Sequence, residues 1–119
     1  MSNELKTATL SYVVDTDPGA TASQDIYSPI TGLIKKITLT FPRNSNYTLG
    51  AKFTVGTETI IPTPARGGSE YIRLDNHTET IYPYFPIKKG TIITLRTIND
   101  IVGDADQDTV SAIVHIEKQ

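Results

Sequence analysis

Hydrophobic and polar residues alternate along most of the chain with a period of two residues. In residues 33–41, for example, Leu33, Ile37, Leu39 and Phe41 are expected on one buried face, with lysine and threonine between them. Such a period predicts β-strands, because successive side chains of a strand point to opposite sides. The pattern predicts eight strands, over residues 7–14, 33–41, 51–56, 59–62, 70–75, 79–85, 91–98 and 109–117.

Turn-forming residues separate these strands, and residues 15–32 read as one long polar loop. Asn76 and His77 are expected to close a tight hairpin between the fifth and sixth strands. Threonine occurs 18 times and isoleucine 15 times, which suits pleated sheets. We therefore predict one all-β domain over residues 1–119, an eight-stranded antiparallel two-sheet sandwich. A jelly roll is the favoured form, and an immunoglobulin-like sandwich is the alternative.

Composition excludes several classes of function. The chain has no cysteine, which rules out disulfides, thiol catalysis and cysteine-ligated metals. A formal net charge of −2 argues against a nucleic-acid partner. The apolar runs are far shorter than the ~20 residues of a membrane-spanning helix, so no membrane partner is expected. The first residues, MSNELKT, lack the basic and apolar regions of a secretory signal.

The sharpest candidate for chemistry is the segment GDADQDT at residues 103–109. Counted from its first aspartate, an EF-hand loop would need glycine and glutamate where the chain has Thr109 and His115. A looser calcium site would join this loop to the aspartates near residue 15, but solvated carboxylates are the favoured interpretation. Without a nucleophile elbow or a phosphate-binding loop, we expect no enzyme and no cofactor. The metal candidates are Asp15, Asp17, Asp104, Asp106 and Asp108.

Charge is divided between alternate loops, which lie at the same end of an antiparallel sandwich. This division predicts a polar molecule whose basic end faces an acidic partner surface, while the aspartate loop faces solvent. Chance placement of loop charges is the alternative. The acidic set is Asp15, Asp17, Asp25, Glu58, Asp100, Asp104, Asp106 and Asp108, and the basic set is Arg43, Arg66, Lys88 and Lys89.

The predicted hairpin would carry tyrosines on its outer face. Tyr71 would lie opposite Tyr82, with Tyr84 and Arg73 on the same side. Tyrosines on an open sheet can pack on a second subunit or stack on a sugar ring, since both uses exploit an apolar ring with a polar tip. Ordinary cross-strand pairing is the third interpretation.

The strand at residues 91–98 has apolar residues on both faces. Ile93 and Leu95 point one way, whereas Ile92 and Ile98 point the other. This arrangement favours a contact between subunits. The isoleucines expected on outer faces are Ile34, Ile92, Ile98 and Ile113.

The segment YPYFPIKKGTIITLRTIND, followed by an acidic loop and TVSAIVHIEKQ, resembles the end of small jelly-roll virion proteins. These are capsid decoration (cement) proteins and minor head or tail proteins of tailed phages and similar viruses. The shared features are a proline-bounded strand, a basic glycine turn, a threonine- and isoleucine-rich strand and a short terminal strand. The resemblance implies symmetric oligomers, often trimers, and no catalytic residues.

We therefore predict a non-enzymatic structural virion protein, assembled in the host cytoplasm, that acts through oligomeric contacts. Its expected partners are copies of itself, with a trimer favoured, and other virion proteins such as the major capsid protein. The alternative is a glycan- or receptor-binding β-sandwich module with the tyrosines as its platform. The predicted partner-binding residues are Arg43, Arg66, Lys88, Lys89, Tyr71, Arg73, Tyr82, Tyr84, Ile92 and Ile98.

Overall fold

The fold consists of two antiparallel β-sheets that form a sandwich. The computed structural model describes residues 6–17, 19–42, 49–61, 71–73, 77–99 and 109–118. Within these ranges, no helix has the length and apolar character needed to cross a membrane. The described strands are β1 (Thr7–Asp15), β2 (Thr21–Tyr27), β3 (Gly32–Phe41), β4 (Leu49–Val55), β5 (Glu58–Ile61), β6 (Ile72–Arg73), β7 (His77–Ile81), β8 (Phe85–Ile87), β9 (Ile92–Asn99) and β10 (Thr109–Lys118).

The strands are distributed between the two sheets in an interleaved order. Sheet A has the order β1-β10-β3-β7, and β8 also pairs with β3. Sheet B has the order β2-β9-β4-β5, and β6 also pairs with β4. The predicted all-β, two-sheet antiparallel sandwich is confirmed, but the described part of the chain contains ten strands rather than eight.

The two additional strands come from segments with a weak pattern. β2 lies where the sequence predicts a long polar loop. The pattern did not reveal this edge strand, because only Ala22 and Ile26 of it pack against the core. The strand predicted at residues 79–85 is divided into β7 and β8. Pro83 lacks the N–H of a ladder residue, and Tyr84 has a left-handed backbone with φ 49°, so the strand cannot continue through them.

The hairpin predicted through Asn76 and His77 is wrong. β6 pairs with β4 in sheet B, with Ile72 opposite Ala51, whereas β7 pairs with β3 in sheet A, with His77 opposite Phe41. The chain therefore passes from one sheet to the other between β6 and β7. Each of these short strands gains a longer and more buried neighbour than it would have found in the other.

The core lies between the sheets. The Tyr12 hydroxyl in sheet A donates a hydrogen bond of 2.7 Å to the carbonyl oxygen of Ile93 in sheet B. The Tyr12 ring meets Phe53 edge to face, with ring centroids 5.3 Å apart. These contacts join the two sheets. The residues that alternation places inside and that are buried are Leu10, Tyr12, Val14, Ile37, Leu39, Phe41, Ala51, Phe53, Val55, Ile93, Leu95, Val110, Ala112, Val114 and Ile116.

A β-bulge changes the alternation at the start of β3. The consecutive residues His115 and Ile116 of β10 lie opposite Lys36 and Ile34, so β3 holds one extra residue between them. Such a bulge reverses which side chains point inward. Ile34, expected on the outer face, is therefore fully buried, whereas Leu33, expected inside, is only half-buried.

A buried polar cluster ties the corner between β1 and β2 to β9. The hydroxyls of Thr16 and Thr97 are hydrogen-bonded to each other, and the Asn99 amide donates to the Thr16 carbonyl oxygen at 3.0 Å. The backbone of Asn99 also bonds to Gly19 and Ala20. In the described part of the chain, no buried side-chain nitrogen or oxygen lacks a hydrogen-bond partner. The cluster thus satisfies polar groups that would be costly to bury alone.

The strand register defines two ends of sheet A. At one end Asp15 lies opposite Thr109. At the other end Gly32 lies opposite Lys118 on one side and Ile87 on the other. These are called the Asp15 end and the Gly32 end below.

Candidate binding site

Six of the seven lysines of the chain lie toward the Gly32 end of sheet A. The antiparallel register brings them together, because β1 and β3 begin at this end whereas β8 and β10 finish there. The backbone N–H of Lys118 also donates to the carbonyl oxygen of Lys6 at 2.8 Å. The lysine cluster comprises Lys6, Lys35, Lys36, Lys88, Lys89 and Lys118.

Two tyrosines lie beside the lysine cluster, in the segment that links β7 to β8. The rings of Tyr82 and Tyr84, called the tyrosine pair, are stacked with centroids 6.4 Å apart and an interplanar angle of 23°. Their residues are 57% and 55% exposed. The Lys35 Nζ atom lies 5.5 Å from the centroid of the Tyr84 ring and 3.9 Å from a carboxylate oxygen of Glu117. Lys35 therefore connects the tyrosine pair to β10.

A groove of about 410 Å³ runs over this part of sheet A. β1 lines the groove with Thr7 and Thr9, and β10 lines it with His115 and Glu117. The adjacent lysines of β3 and the tyrosine pair complete the lining. The groove thus combines aromatic rings, hydroxyls and cationic groups, as small-molecule sites with a few convergent polar groups do.

The common tyrosine face predicted from the sequence is wrong, because the tyrosines lie on different sheets. Tyr71 precedes β6, which belongs to sheet B together with Arg73. The Nζ atom of Lys52 lies 4.9 Å from the centroid of the Tyr71 ring. Tyr71 also covers Gly50, where an added Cβ would come within 2.7 Å of the Tyr71 Cβ. Only the tyrosine pair contributes to the groove of sheet A.

The isoleucines predicted as partner contacts, Ile92 and Ile98, are half-buried in sheet B. The Ile98 side chain lies against the same Gly50 backbone as Tyr71. Their role in binding a partner stays a prediction. In the described part of the chain, the exposed large hydrophobic residues are Val13, Tyr27, Tyr82, Tyr84 and Ile113.

The predicted division of charge is correct for four residues. Lys88 and Lys89 follow β8 at the Gly32 end, whereas Asp15 and Asp17 lie at the opposite end. Sheet A is therefore basic at one end and acidic at the other within the residues described.

Two acidic residues do not follow the predicted division. Glu58 begins β5 directly after a turn. The Gly56 N–H of this turn donates to the carbonyl oxygen of Ile92 at 2.9 Å, so the turn lies at the same end as Lys88 and Lys89, which precede β9. Asp25 lies within β2 rather than in a loop, and it accepts a hydrogen bond of 2.7 Å from the Thr94 hydroxyl. The additional strand β2 makes β3 and β4 run in the opposite directions to those predicted, so the turn before Glu58 lies at the Gly32 end.

The aspartates proposed as metal ligands are only partly described. Asp15 accepts a hydrogen bond from the Thr109 hydroxyl, and Asp17 is exposed. The described residues contain no group of three or more His, Cys, Asp and Glu side chains that could hold a metal ion. Whether the aspartate loop binds calcium stays a prediction. The candidates Arg43, Arg66, Asp100, Asp104, Asp106 and Asp108 lie outside the described residues.

Sequence reasoning missed most of the groove. No distinctive local pattern marks the β1 threonines or Glu117. The available signal was the pair of Lys-Lys doublets at residues 35–36 and 88–89, each near a strand end. The doublets alone could not reveal the site, because their proximity depends on long-range strand pairing.

Comparisons with known proteins bear on the fold alone. No protein-family model and no curated protein matches the sequence. The chain is similar in structure to FlhE, with 12% identity, a TM-score of 0.50 and coverage of 95% of this chain and 99% of FlhE. It is also similar to a serine protease of Aeromonas sobria, with 5% identity and a TM-score of 0.51, covering 98% of this chain but 28% of the protease. A weaker neighbour is a chain of the T13 particle of infectious bursal disease virus, with 16% identity, a TM-score of 0.41 and coverage of 94% and 31%.

Proposed function

We propose that this protein is a non-enzymatic structural component of a virus particle, either a capsid decoration protein or a minor capsid or tail protein. It acts through contacts with copies of itself, a trimer being the favoured assembly, and with other virion proteins such as the major capsid protein. The observation that carries the proposal is the outer face of sheet A, which exposes apolar side chains between short hydroxyl side chains.

The exposed apolar residues of this face lie on neighbouring strands. Val13 of β1 is 66% exposed and Ile113 of β10 is 40% exposed. Ser11 lies directly opposite Ile113, and Val13 follows Ser11 by two residues on the same face. Val13 and Ile113 are therefore diagonal neighbours. On the other side Ile113 lies opposite Thr38. A face of short, uncharged side chains suits an interface centre, from which lysine and glutamate are depleted.

The strand order supports the proposal through the architecture. We interpret it as a jelly roll, because the pairs are nested: β1 with β10, β2 with β9, β3 with β7 and β8, and β4 with β5 and β6. Jelly rolls form viral capsid domains as well as lectins. The resemblance of the segment from residue 82 onward to small virion proteins agrees with this interpretation.

Light scattering after size-exclusion chromatography tests the oligomeric contact. We expect a trimer between micromolar and near-millimolar protein. The double substitution Val13→Lys and Ile113→Lys should produce a monomer, because it places charges in the centre of the contact. Ser23→Lys on the outer side of β2 is the matched control and should leave the assembly unchanged.

Purified virus particles test the location. The protein should be present at a fixed copy number relative to the major capsid protein. A monomer at every concentration, together with a variable copy number in particles, would contradict the proposed function. If the control Ser23→Lys dissociates the assembly while the double variant does not, the contact lies on sheet B instead.

A further inference from the structure

We infer that the groove at the Gly32 end of sheet A binds an anionic carbohydrate, a glycan with carboxylate or sulfate groups. This function goes beyond the structural role proposed above. It rests on a placement of residues in the fold: Lys35 and Lys36 of the lysine cluster line a groove whose wall is an exposed tyrosine pair.

Charge selects an anionic ligand. The whole chain has a net charge of −2, yet six lysines and one glutamate, Glu117, come together in this part of sheet A. Exposed charges act over about 8 Å at physiological ionic strength, so the adjacent Lys35 and Lys36 reinforce each other in the groove. The result is a local positive potential on an acidic protein, which favours binding and faster association of anions.

The lining of the groove favours a sugar over a simple anion. The exposed rings of Tyr82 and Tyr84 offer apolar surface to the C–H face of a pyranose ring, while their hydroxyls reach water. Thr7 and Thr9 on the opposite side supply short hydrogen-bonding groups. A volume of about 410 Å³ is within the range of ligand pockets. An acidic peptide would need the lysines but not the aromatic wall.

The backbone of Tyr84 is an independent indication of function. Its φ of 49° is in the left-handed region, which a bulky side chain rarely adopts. Such conformations are costly and concentrate at binding and catalytic sites. A glycine would occupy this position with less strain, so the tyrosine ring is placed here against a local conformational preference.

Lys35 can exchange its ion-pair partner when a ligand binds. Its contact of 3.9 Å with Glu117 joins two partly exposed side chains, and exposed ion pairs of this kind contribute little. A carboxylate or sulfate in the groove can therefore replace Glu117 as the partner of Lys35. The lysine keeps its position over the Tyr84 ring, 5.5 Å from the centroid.

Nuclear magnetic resonance titration with three probes tests the inference. A heparin-derived octasaccharide should shift the amide signals of residues 7–9, 33–36, 82–84 and 115–117. An uncharged dextran oligosaccharide at the same concentration should cause no shifts. A polyglutamate peptide of equal net charge should bind at least about ten-fold more weakly, because it lacks rings that stack on tyrosine.

Substitutions identify the groups that bind. Tyr82→Ala, Tyr84→Gly and Lys35→Gln should each lower the affinity for the octasaccharide about ten-fold. Lys52→Gln is the matched control, because Lys52 also lies over a tyrosine ring but in sheet B. It should change the affinity less than about two-fold.

Several outcomes would overturn the inference. Equal affinity for polyglutamate would assign the lysine cluster to an acidic protein surface. Absence of shifts in the groove, or an equal loss of affinity in Lys52→Gln and Lys35→Gln, would exclude this site. Melting temperatures that do not fall in the variants will show that any loss of binding is not a loss of folding.

Discussion

Removing one hydroxyl from the centre of the sandwich, by Tyr12→Phe, should destabilise the protein measurably. Tyr12 is fully buried, and its hydroxyl donates to the Ile93 carbonyl oxygen of the other sheet at 2.7 Å. The phenylalanine ring keeps the edge-to-face contact with Phe53, so the substitution isolates the hydrogen bond. The change tests whether this bond joins the sheets.

The expected magnitude follows from the burial of this bond. An intramolecular hydrogen bond contributes about 1 kcal/mol to stability. Tyr12→Phe removes only the hydroxyl group, so the loss of this bond is its main effect. With a small cost for the space left behind, we expect a loss of about 1.5 kcal/mol at pH 7. For 119 residues this corresponds to a decrease of about 6 °C in Tm.

The effect should depend on pH. Burial raises the pKa of the Tyr12 hydroxyl above its ordinary value, and the negative charge of Asp25 adds to this shift. The folded state therefore keeps a proton that the unfolded chain loses above about pH 10, so rising pH favours unfolding of the native sequence. At pH 11 the contribution of Tyr12 falls by about 1 kcal/mol, so the difference from Tyr12→Phe should become much smaller than at pH 7.

Urea denaturation at pH 7 and pH 11, followed by circular dichroism, measures both differences. Tyr82→Phe is the control, since it removes the same hydroxyl from an exposed ring and should change stability at pH 7 by less than about 0.5 kcal/mol. A difference for Tyr12→Phe below about 0.5 kcal/mol at pH 7 would refute the hydrogen-bond argument. A difference that is unchanged at pH 11 would refute the assigned pKa shift.

Two further predictions concern stability. Gly32→Ala should cost more than about 2 kcal/mol in urea denaturation, because its Cβ would lie 2.9 Å from the Glu117 carbonyl carbon and closer still to the oxygen. Gly56→Ala, which meets no atom within 4 Å but has a φ of +60°, should cost only about 1 kcal/mol, and equal costs would contradict the packing argument. A chelator should not lower Tm, since solvated carboxylates are the favoured interpretation of the aspartate loop; a decrease of about 10 °C would instead indicate a structural metal.

The alternation of residues was sufficient to predict the sandwich and most of its core. A period of two identifies a strand with one buried face, and this local signal holds for residues such as Leu10, Phe53 and Val114. The signal is weak where a strand lies at a sheet edge, and for this reason β2 escaped detection. It is also reversed by a bulge, which exchanged Leu33 for Ile34 in the core.

Strand pairing is decided by tertiary structure. A tight turn between Arg73 and Thr78 would have made a hairpin from sequence neighbours, yet β6 and β7 pair with strands of opposite sheets. Local turn propensity contributes little compared with the apolar area that each strand buries against a long neighbour. The tyrosines were therefore separated, and Tyr71 lies on the other sheet from the tyrosine pair.

The sequence alone was sufficient to predict the β-sandwich and the residues that fill most of its interior. It also predicted that Lys88 and Lys89 lie at the other end of the molecule from Asp15. These properties follow from the two-residue period and from the alternation of strand direction, which are local or nearly so. The candidate site was decided only by tertiary structure. Its lysines lie in or next to four strands that are distant in sequence, and only the antiparallel register of β1, β10, β3 and β8 brings them to one end of one sheet.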